Sequence, residues 1–538
     1  MRLLIPFLVV SLFGTLSINA QSYSDFIVVD QFGYLPDAPK IAVIRNPRTG
    51  FDSGESFSPG ATYNLIDSET GSVVFSGAPA VWNGGSTDPS SGDRVWWFDF
   101  SSVAETGNYY VLDADNEVRS FEFRISPSVY NEVLKQAVRT FFYQRSGYAK
   151  ETPFAEAAWA DGASHLGPLQ DTEARLFSDP DNPDTEKDVS GGWYDAGDYN
   201  KYTNWTASYV IEMMYAFQEN PDVWTDNFNI PESGNGIPDL LDEARWGLDH
   251  LQKMQNEDGS VLSVVGVAHG SPPSSASGQS LYGPANTSAT LSTAAACALA
   301  ATVYNSAGMV AYANELEQNA IAAWNWAVDN PNVIFNNNDA EFNSQGLAAG
   351  QQEVDDYGRL TKKIMAACFL FDLTGEEVYR SFFDNNYEDV EMIKWNYAFP
   401  FQTANQDMLL YYTSLENATP AVVEHITTVY GNSMMNGDDN YAAITGQKDP
   451  YMAHIKDYVW GSNSIKSLKG NMFLNVARFD AGTINMEEAR DIAVKYINYL
   501  HGINPLNFVY LSNMFSYGAD QGVREFYHTW FSDGSSLW

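Results

Sequence analysis

The segment Gly191-Gly192-Trp193-Tyr194-Asp195-Ala196-Gly197-Asp198-Tyr199-Asn200-Lys201-Tyr202 holds the densest concentration of reactive side chains in the sequence. Asp195 and Asp198 stand three residues apart with only Ala196 and Gly197 between them, so a tight turn brings the two carboxylates together. Like charges held close push at least one carboxyl pKa upward, and one carboxylate then orients a water while the other takes its proton. A glycine-rich turn whose aspartates cap a helix or bind a cation shows the same pattern, and spacing alone does not separate the two. The surroundings favour chemistry. Trp193, Tyr194, Tyr199, Tyr202 and Trp205 crowd the segment, and flat aromatic faces suit the apolar faces of sugar rings. Glycoside hydrolysis needs a pair of carboxyl groups, which makes a polysaccharide hydrolase the leading expectation.

Composition narrows the field. The 538 residues carry 29 Lys+Arg against 68 Asp+Glu, a formal net charge of -39, and a surface this negative repels nucleic acid. With 44% hydrophobic and 14% aromatic residues, the chain has ample material for a core and is not disordered. Residues 1–20 place Arg2 ahead of an apolar run and end in small or polar residues, the pattern of a secretory signal cut after Ala20. No later segment is apolar for long enough to span a bilayer. The protein is therefore expected outside the cytoplasm, secreted, periplasmic or at the cell surface. Cys297 and Cys368 lie in apolar, alanine-rich stretches and read as buried thiols. No HExxH pair and no Walker or Rossmann glycine pattern is present.

Two kinds of architecture must position the aspartates. Residues 24–125 hold short β-forming runs between polar turns, including FIVVDQF, KIAVIR, RVWWFDF and RSFEFRI. They fit an antiparallel sandwich of roughly seven strands. From Val133 onward apolar residues recur at helical spacing, predicting helices near 205–218, 238–254, 288–305, 312–328, 359–373, 407–415, 464–479 and 486–501. The division expected is 1–20 signal, 21–126 sandwich and 127–538 helical domain. Three loops, 161–200, 266–288 and 335–358, are too long to be idle connections. In Pro238-Asp239-Leu240-Leu241-Asp242-Glu243 the acidic residues sit in a helical first turn, where capping accounts for them.

DVSGGWYDAGDYNKY resembles glycoside hydrolase family 9, the cellulase family. So do VVDQFGYLPDAPKIAV, SGNGIPDLLDEARWGLDHLQKMQNEDGSV, KDYVWGSNS and YLHGINPLNFVYLSNM, in order along nearly the whole mature chain. The resemblance implies an amino-terminal immunoglobulin-like sandwich ahead of an (α/α)6 barrel that cleaves β-1,4-glucosidic bonds of cellulose or cello-oligosaccharides with inversion. Asp198 matches the general base and Asp195 its water-holding partner. His528 matches a histidine near the substrate, and Trp460 is a sugar-stacking candidate, with Tyr458 and Trp395 behind it. The family's general acid is a glutamate downstream of that histidine, and Thr529–Trp538 contain none, so no acid is assigned and a barrel cut short at its carboxy-terminal end is expected. No cofactor is required. Structural calcium is admitted at Gln351–Asp356, where oxygen ligands cluster, whereas zinc is disfavoured because His165 has no accompanying cysteine. Exo-acting cellodextrinase, mixed-linkage glucanase and glucosaminidase stay open within the enzyme class. A non-catalytic carbohydrate-binding protein stays open outside it.

Overall fold

The structure, a computed structural model, describes residues 21–524. Alternating apolar residues in its first part close two facing sheets. One runs in the order Ile27–Val28, Ile41–Pro47, Asp93–Asp99, Ala80–Val81 and is antiparallel throughout. The other centres on Gly107–Asp113, paired with Tyr63–Asp67 on one side and with Val118–Arg119 and Phe123–Ile125 on the other. Val43, Val95 and Phe98 from the first sheet and Leu65, Val111 and Phe123 from the second are all buried in the sandwich core.

The expected run FIVVDQF, residues 26–32, keeps only Ile27–Val28 as strand, in the first sheet; just beyond it Gly33–Tyr34 joins the second sheet, parallel to Phe123–Ile125. Asp30 makes the break: its Oδ1 accepts the N–H groups of Phe32 and Gly33, both at 3.0 Å, turning the chain out of the ladder. A second parallel pair, Ser22–Tyr23 with Val118–Arg119, also departs from the antiparallel expectation.

After α1 (Asn131–Gln144) the helices pair as hairpins. These are α2 (Thr203–Glu219) with α3 (Asp239–Met254), α4 (Thr287–Ser306) with α5 (Val310–Asp329), and α6 (Asp356–Thr374) with α7 (Glu377–Asn386). Beyond the short α8 (Glu391–Trp395) comes α9 (Thr403–Thr413) with α10 (Pro420–Asn436), and beyond the short α11 (Tyr441–Thr445) comes α12 (Ser462–Arg478) with α13 (Met486–Leu500). The first member of each hairpin packs on the next, α2 on α4, α4 on α6, α6 on α9 and α9 on α12, which builds an inner wall with the second members outside. Alanines and small hydroxyl residues along α4 let its neighbours approach closely, and nearly the whole helix is buried. Cys297 and Cys368 are buried thiols in α4 and α6, as their setting predicts. The sequence reading missed α7 and α10, although Val422, Ile426, Val429 and Tyr430 in α10 do form a buried helical face.

The long loops precede α2, α4 and α6 and meet at one end of this wall. Lys201–Tyr202 pairs with Val264–Gly266, that strand with Leu281–Tyr282, and that in turn with Arg175–Leu176. Gly350 N–H adds the third loop by donating to the Tyr202 hydroxyl at 2.6 Å.

The sandwich is latched to the barrel where two distant motifs touch. His501 Nδ1 lies 3.0 Å from Asp30 Oδ2, with both groups buried. Gln31 N–H donates to the His501 carbonyl at 3.0 Å, Gln31 Nε2 donates to the Asn507 carbonyl at 2.8 Å, and Gln31 Oε1 accepts from Asp520 and Gln521 N–H. Gly502, at φ +134, passes so near the Val29 carbonyl that a Cβ would sit 2.6 Å from its oxygen. Removing one partner of a buried hydrogen-bonded group leaves the others unsatisfied. Asp30→Ala is therefore expected to destabilise the chain by about 2 kcal/mol, read as a lower denaturation midpoint and as proteolytic cleavage after residue 500 under native conditions. An unchanged midpoint would show that the latch contributes nothing.

Candidate active site

The Asp195 turn is built from both ends. Entering it, residues 192–194 run beside the end of α1: Ser146 N–H donates to the Gly192 carbonyl at 2.9 Å and Tyr194 N–H to the Gln144 carbonyl at 2.8 Å. Leaving it, Lys201–Tyr202 joins the small sheet and Thr203 Oγ1 donates to the Leu262 carbonyl at 2.6 Å as α2 begins. Between these anchors the chain closes on itself. Asp195 N–H donates to the Asn200 carbonyl at 3.1 Å and Tyr199 N–H to the Ala196 carbonyl at 3.0 Å, with Tyr199 in the left-handed region at φ +59. The turn brings Asp195 and Asp198 to one closed loop, as their spacing predicts. Asp195 is exposed, and its Oδ1 accepts from the Tyr209 hydroxyl at 3.3 Å. Asp198 is half-buried. Its Oδ2 accepts from Asn200 Nδ2 at 2.7 Å, while its Oδ1 is shielded from solvent and has no hydrogen-bond partner among the described residues.

The aromatic residues of the segment play a different part from the one their faces suggest. Trp193, Tyr194, Tyr199 and Tyr202 are all buried and carry the loop on the scaffold. Trp193 Nε1 donates to Glu243 Oε1 at 2.8 Å, and its ring fills the space over Gly247, where a Cβ would lie 2.2 Å away. Glu243, fully buried in α3, is held by Arg145 at 2.9 Å, and Arg145 reaches Glu232 at 3.0 Å. The acidic start of α3 thus does more than the capping read from sequence: Asp239 accepts from Ser233 Oγ and Phe228 N–H, and Glu243 anchors the Asp195 turn through Trp193. From below, Lys201 Nζ pairs with Asp171 at 2.7 Å and donates to the carbonyls of Val189 and Gly191.

Other predicted positions sort plainly. Trp460 is 91% exposed on the turn before α12, and Tyr458 beside it is half-exposed. The alternation of hairpins puts this turn at the same end of the wall as the aspartates. Trp395 is exposed and stacks on Phe399 at 5.7 Å. His528 lies outside the described residues, as does the signal at 1–20. His165 does not fit a metal ligand, because Nδ1 meets the Tyr194 hydroxyl at 2.5 Å and Nε2 the Ala268 carbonyl at 2.8 Å. In the run 351–356 the carboxylates have protein partners. Glu353 accepts from Asn286 Nδ2 at 2.7 Å and faces Arg359, Asp355 caps α6 through Gly358 N–H at 2.8 Å, and Asp356 pairs with Arg359. No group of three or more His, Cys, Asp or Glu side chains is placed to hold a metal ion among the described residues. Among those residues, no helix is long and apolar enough to cross a membrane.

Asn200, Tyr209, Glu243 and His250 escaped the sequence reading. His250 is fully buried against Gly192, at φ +72, where a Cβ would meet its ring at 2.6 Å. Burial first, and the Lys201 ammonium second, hold its pKa well below the ordinary 6.5; burial lowers that of His165 too. Both rings are therefore neutral in the fold, whereas in the unfolded chain they take up protons as the pH falls below about 6.5. Their contribution to stability is complete above that pH and is lost on acidification. His250 is expected to cost up to about 1.4 kcal/mol per pH unit below 6.5, and a His250→Phe variant should show a shallower decline in melting temperature between pH 6.5 and 5. Parallel declines would refute the assignment.

The comparisons agree with this geometry. A profile for Glycosyl hydrolase family 9 matches residues 130–536, and one for the Cellulase N-terminal ig-like domain matches residues 22–119. The chain is 27% identical over 511 residues to a cellodextrinase of Butyrivibrio fibrisolvens, covering 90% of this chain and 84% of that protein. It is 31% identical over 399 residues to a cellulose 1,4-beta-cellobiosidase of Acetivibrio thermocellus, covering 68% of this chain but 42% of that longer protein. The crystal structure of a metagenome-derived glycoside hydrolase family 9 endoglucanase superposes with a TM-score of 0.76 at 27% identity, covering 92% of this chain and 86% of the other. A β-sandwich leading into a helical barrel, with a paired-aspartate turn at the barrel's loop-rich end, is thus the framework of a glycosidase acting on β-1,4-glucan bonds, and the chain belongs to glycosyl hydrolase family 9.

Proposed function

We propose that this protein acts outside the cytoplasm and hydrolyses β-1,4-glucosidic bonds of cellulose or cello-oligosaccharides by a single displacement that inverts the anomeric carbon. Asp198 is the general base: Oδ1 takes a proton from the attacking water as its oxygen bonds to the anomeric carbon, while the glycosidic bond breaks and the departing oxygen takes a proton from an acid for which no residue is assigned. Asp195, on the same turn, holds the water's second hydrogen, and the Tyr209 hydroxyl fixes the carboxylate that does so. Inversion requires a water to fit between base and sugar, and a solvent-screened oxygen with no partner among the described residues, on the same turn as an exposed carboxylate, supports such a place. Trp460 stacks on a glucose ring, and His528 contacts the substrate on the strength of family resemblance. Similarity to the Butyrivibrio cellodextrinase over 90% of the chain favours soluble cello-oligosaccharides among the substrates.

The observation that carries this reading is Asp198 Oδ1. A buried carboxylate oxygen without a hydrogen bond costs about 1–3 kcal/mol, and such groups in folded proteins mark a ligand or water site. Asp198→Ala is expected to lower turnover of an activated aryl β-cellobioside by about 10²–10⁴-fold, with cellotetraose affinity by calorimetry changed less than about threefold. An aryl leaving group needs little protonation, so this substrate reports the base step alone. Unchanged turnover would overturn the assignment. Trp460→Ala should raise KM about fivefold while kcat holds, the loss of roughly 1 kcal/mol of stacking. An equal fall in kcat with KM intact would place Trp460 outside the binding surface.

A further inference from the structure

Asn200 follows Asp198 by two residues and is buried, with 5% of its surface exposed. Its side chain donates from Nδ2 to Asp198 Oδ2 at 2.7 Å, accepts the Val267 N–H on Oδ1 at 3.3 Å, and also meets the Tyr202 phenol. The Val267 bond settles the orientation of the amide. A backbone N–H only donates, so the atom facing Val267 is the oxygen and the atom facing Asp198 is the nitrogen. An amide nitrogen in turn only donates, so Asp198 Oδ2 is the acceptor. That bond occupies one carboxylate oxygen and leaves Oδ1 as the one without a partner among the described residues. The Asn200 carbonyl, meanwhile, accepts Asp195 N–H and closes the turn that carries both aspartates.

We infer that Asn200 is a positioning residue for the hydrolytic base: it clamps Asp198 so that Oδ1 alone meets the water, and through Val267 it ties that clamp to the loop before α4. This rests on the assignment of Asp198 as base. Three consecutive loop residues grip the turn. Val267 holds the Asn200 amide, the Ala268 carbonyl faces His165 Nε2 at 2.8 Å, and the His269 ring stacks on Tyr199 at 5.4 Å. A shift of this loop rotates the amide and, with it, the carboxylate. The base therefore has its geometry set from a second segment of chain, the loop before α4.

With an activated aryl β-cellobioside, Asn200→Ala is expected to lower kcat about tenfold with KM changed less than about twofold. Asn200→Asp, nearly isosteric, replaces the donor by a second carboxylate and should lower kcat at least as far, with KM again little changed; it serves in place of Asn200→Ala if thermal unfolding shows that variant misfolded. Unchanged kcat in a folded variant, with Asp198→Ala inactive, overturns the positioning role and leaves the base assignment standing. Full turnover by Asp198→Ala overturns both.

Discussion

The pairing of Arg145 with Glu243 is the constraint on which the site depends. Both side chains are completely buried, and a charge taken out of water is tolerated only when paired and hydrogen-bonded. Glu243 meets that demand with the Arg145 guanidinium and the Trp193 indole N–H together, and Arg145 completes its own with Glu232. None of these groups moves without exposing another. Because Arg145 sits at the end of α1, Glu243 in the first turns of α3 and Trp193 two residues before Asp195, the pair converts the packing of two helices into the position of one turn. The glycines of Gly191-Gly192 follow from this: the chain must pass over the His250 ring with no room for a Cβ at Gly192.

What the sequence made legible was chemistry and period, and what it hid was partnership. Two carboxylates on a short spacer read correctly as one turn, since Ala196 and Gly197 admit little else. The helices of the inner wall showed themselves by apolar spacing. The aromatic residues around the aspartates misled, because a tryptophan or tyrosine presents the same face to a sugar as to a core. Only the partner for its polar atom decides, and Glu243 lies 50 residues from Trp193. Glu243 itself looked like one more acid in a helical first turn. Asn200 carried no signal at all: its worth lies in a bond to Val267 across 67 residues of chain.

The same logic explains why two segments of the family likeness at opposite ends of the chain belong together. Asp30 and Gln31 in the first strand region and His501 to Asn507 near the end form a single hydrogen-bonded patch. Each half alone would bury unsatisfied backbone groups, a cost neither domain bears once they meet. The sandwich is thus part of the wall that holds the chain after α13, and the segment so held leads toward residue 528. The sandwich thereby has a positional role in the fold.

The charge balance completes the physical picture. Lys40, Arg45, Arg139, Arg145, Lys150, Lys201, Arg359, Lys466 and Lys469 are all buried, so much of a basic complement of only 29 residues is committed inside the fold. Buried acids such as Asp30, Asp93, Asp171 and Glu243 accompany them, so the surface keeps the acidic excess. Such a field cannot steer a neutral glucan, whose capture must come from stacking and hydrogen bonds. It does keep polyanions away, and it surrounds the Asp195 turn with a negative background. The donors that meet the two carboxylates of that turn are local, the Tyr209 hydroxyl on Asp195 and the Asn200 amide on Asp198.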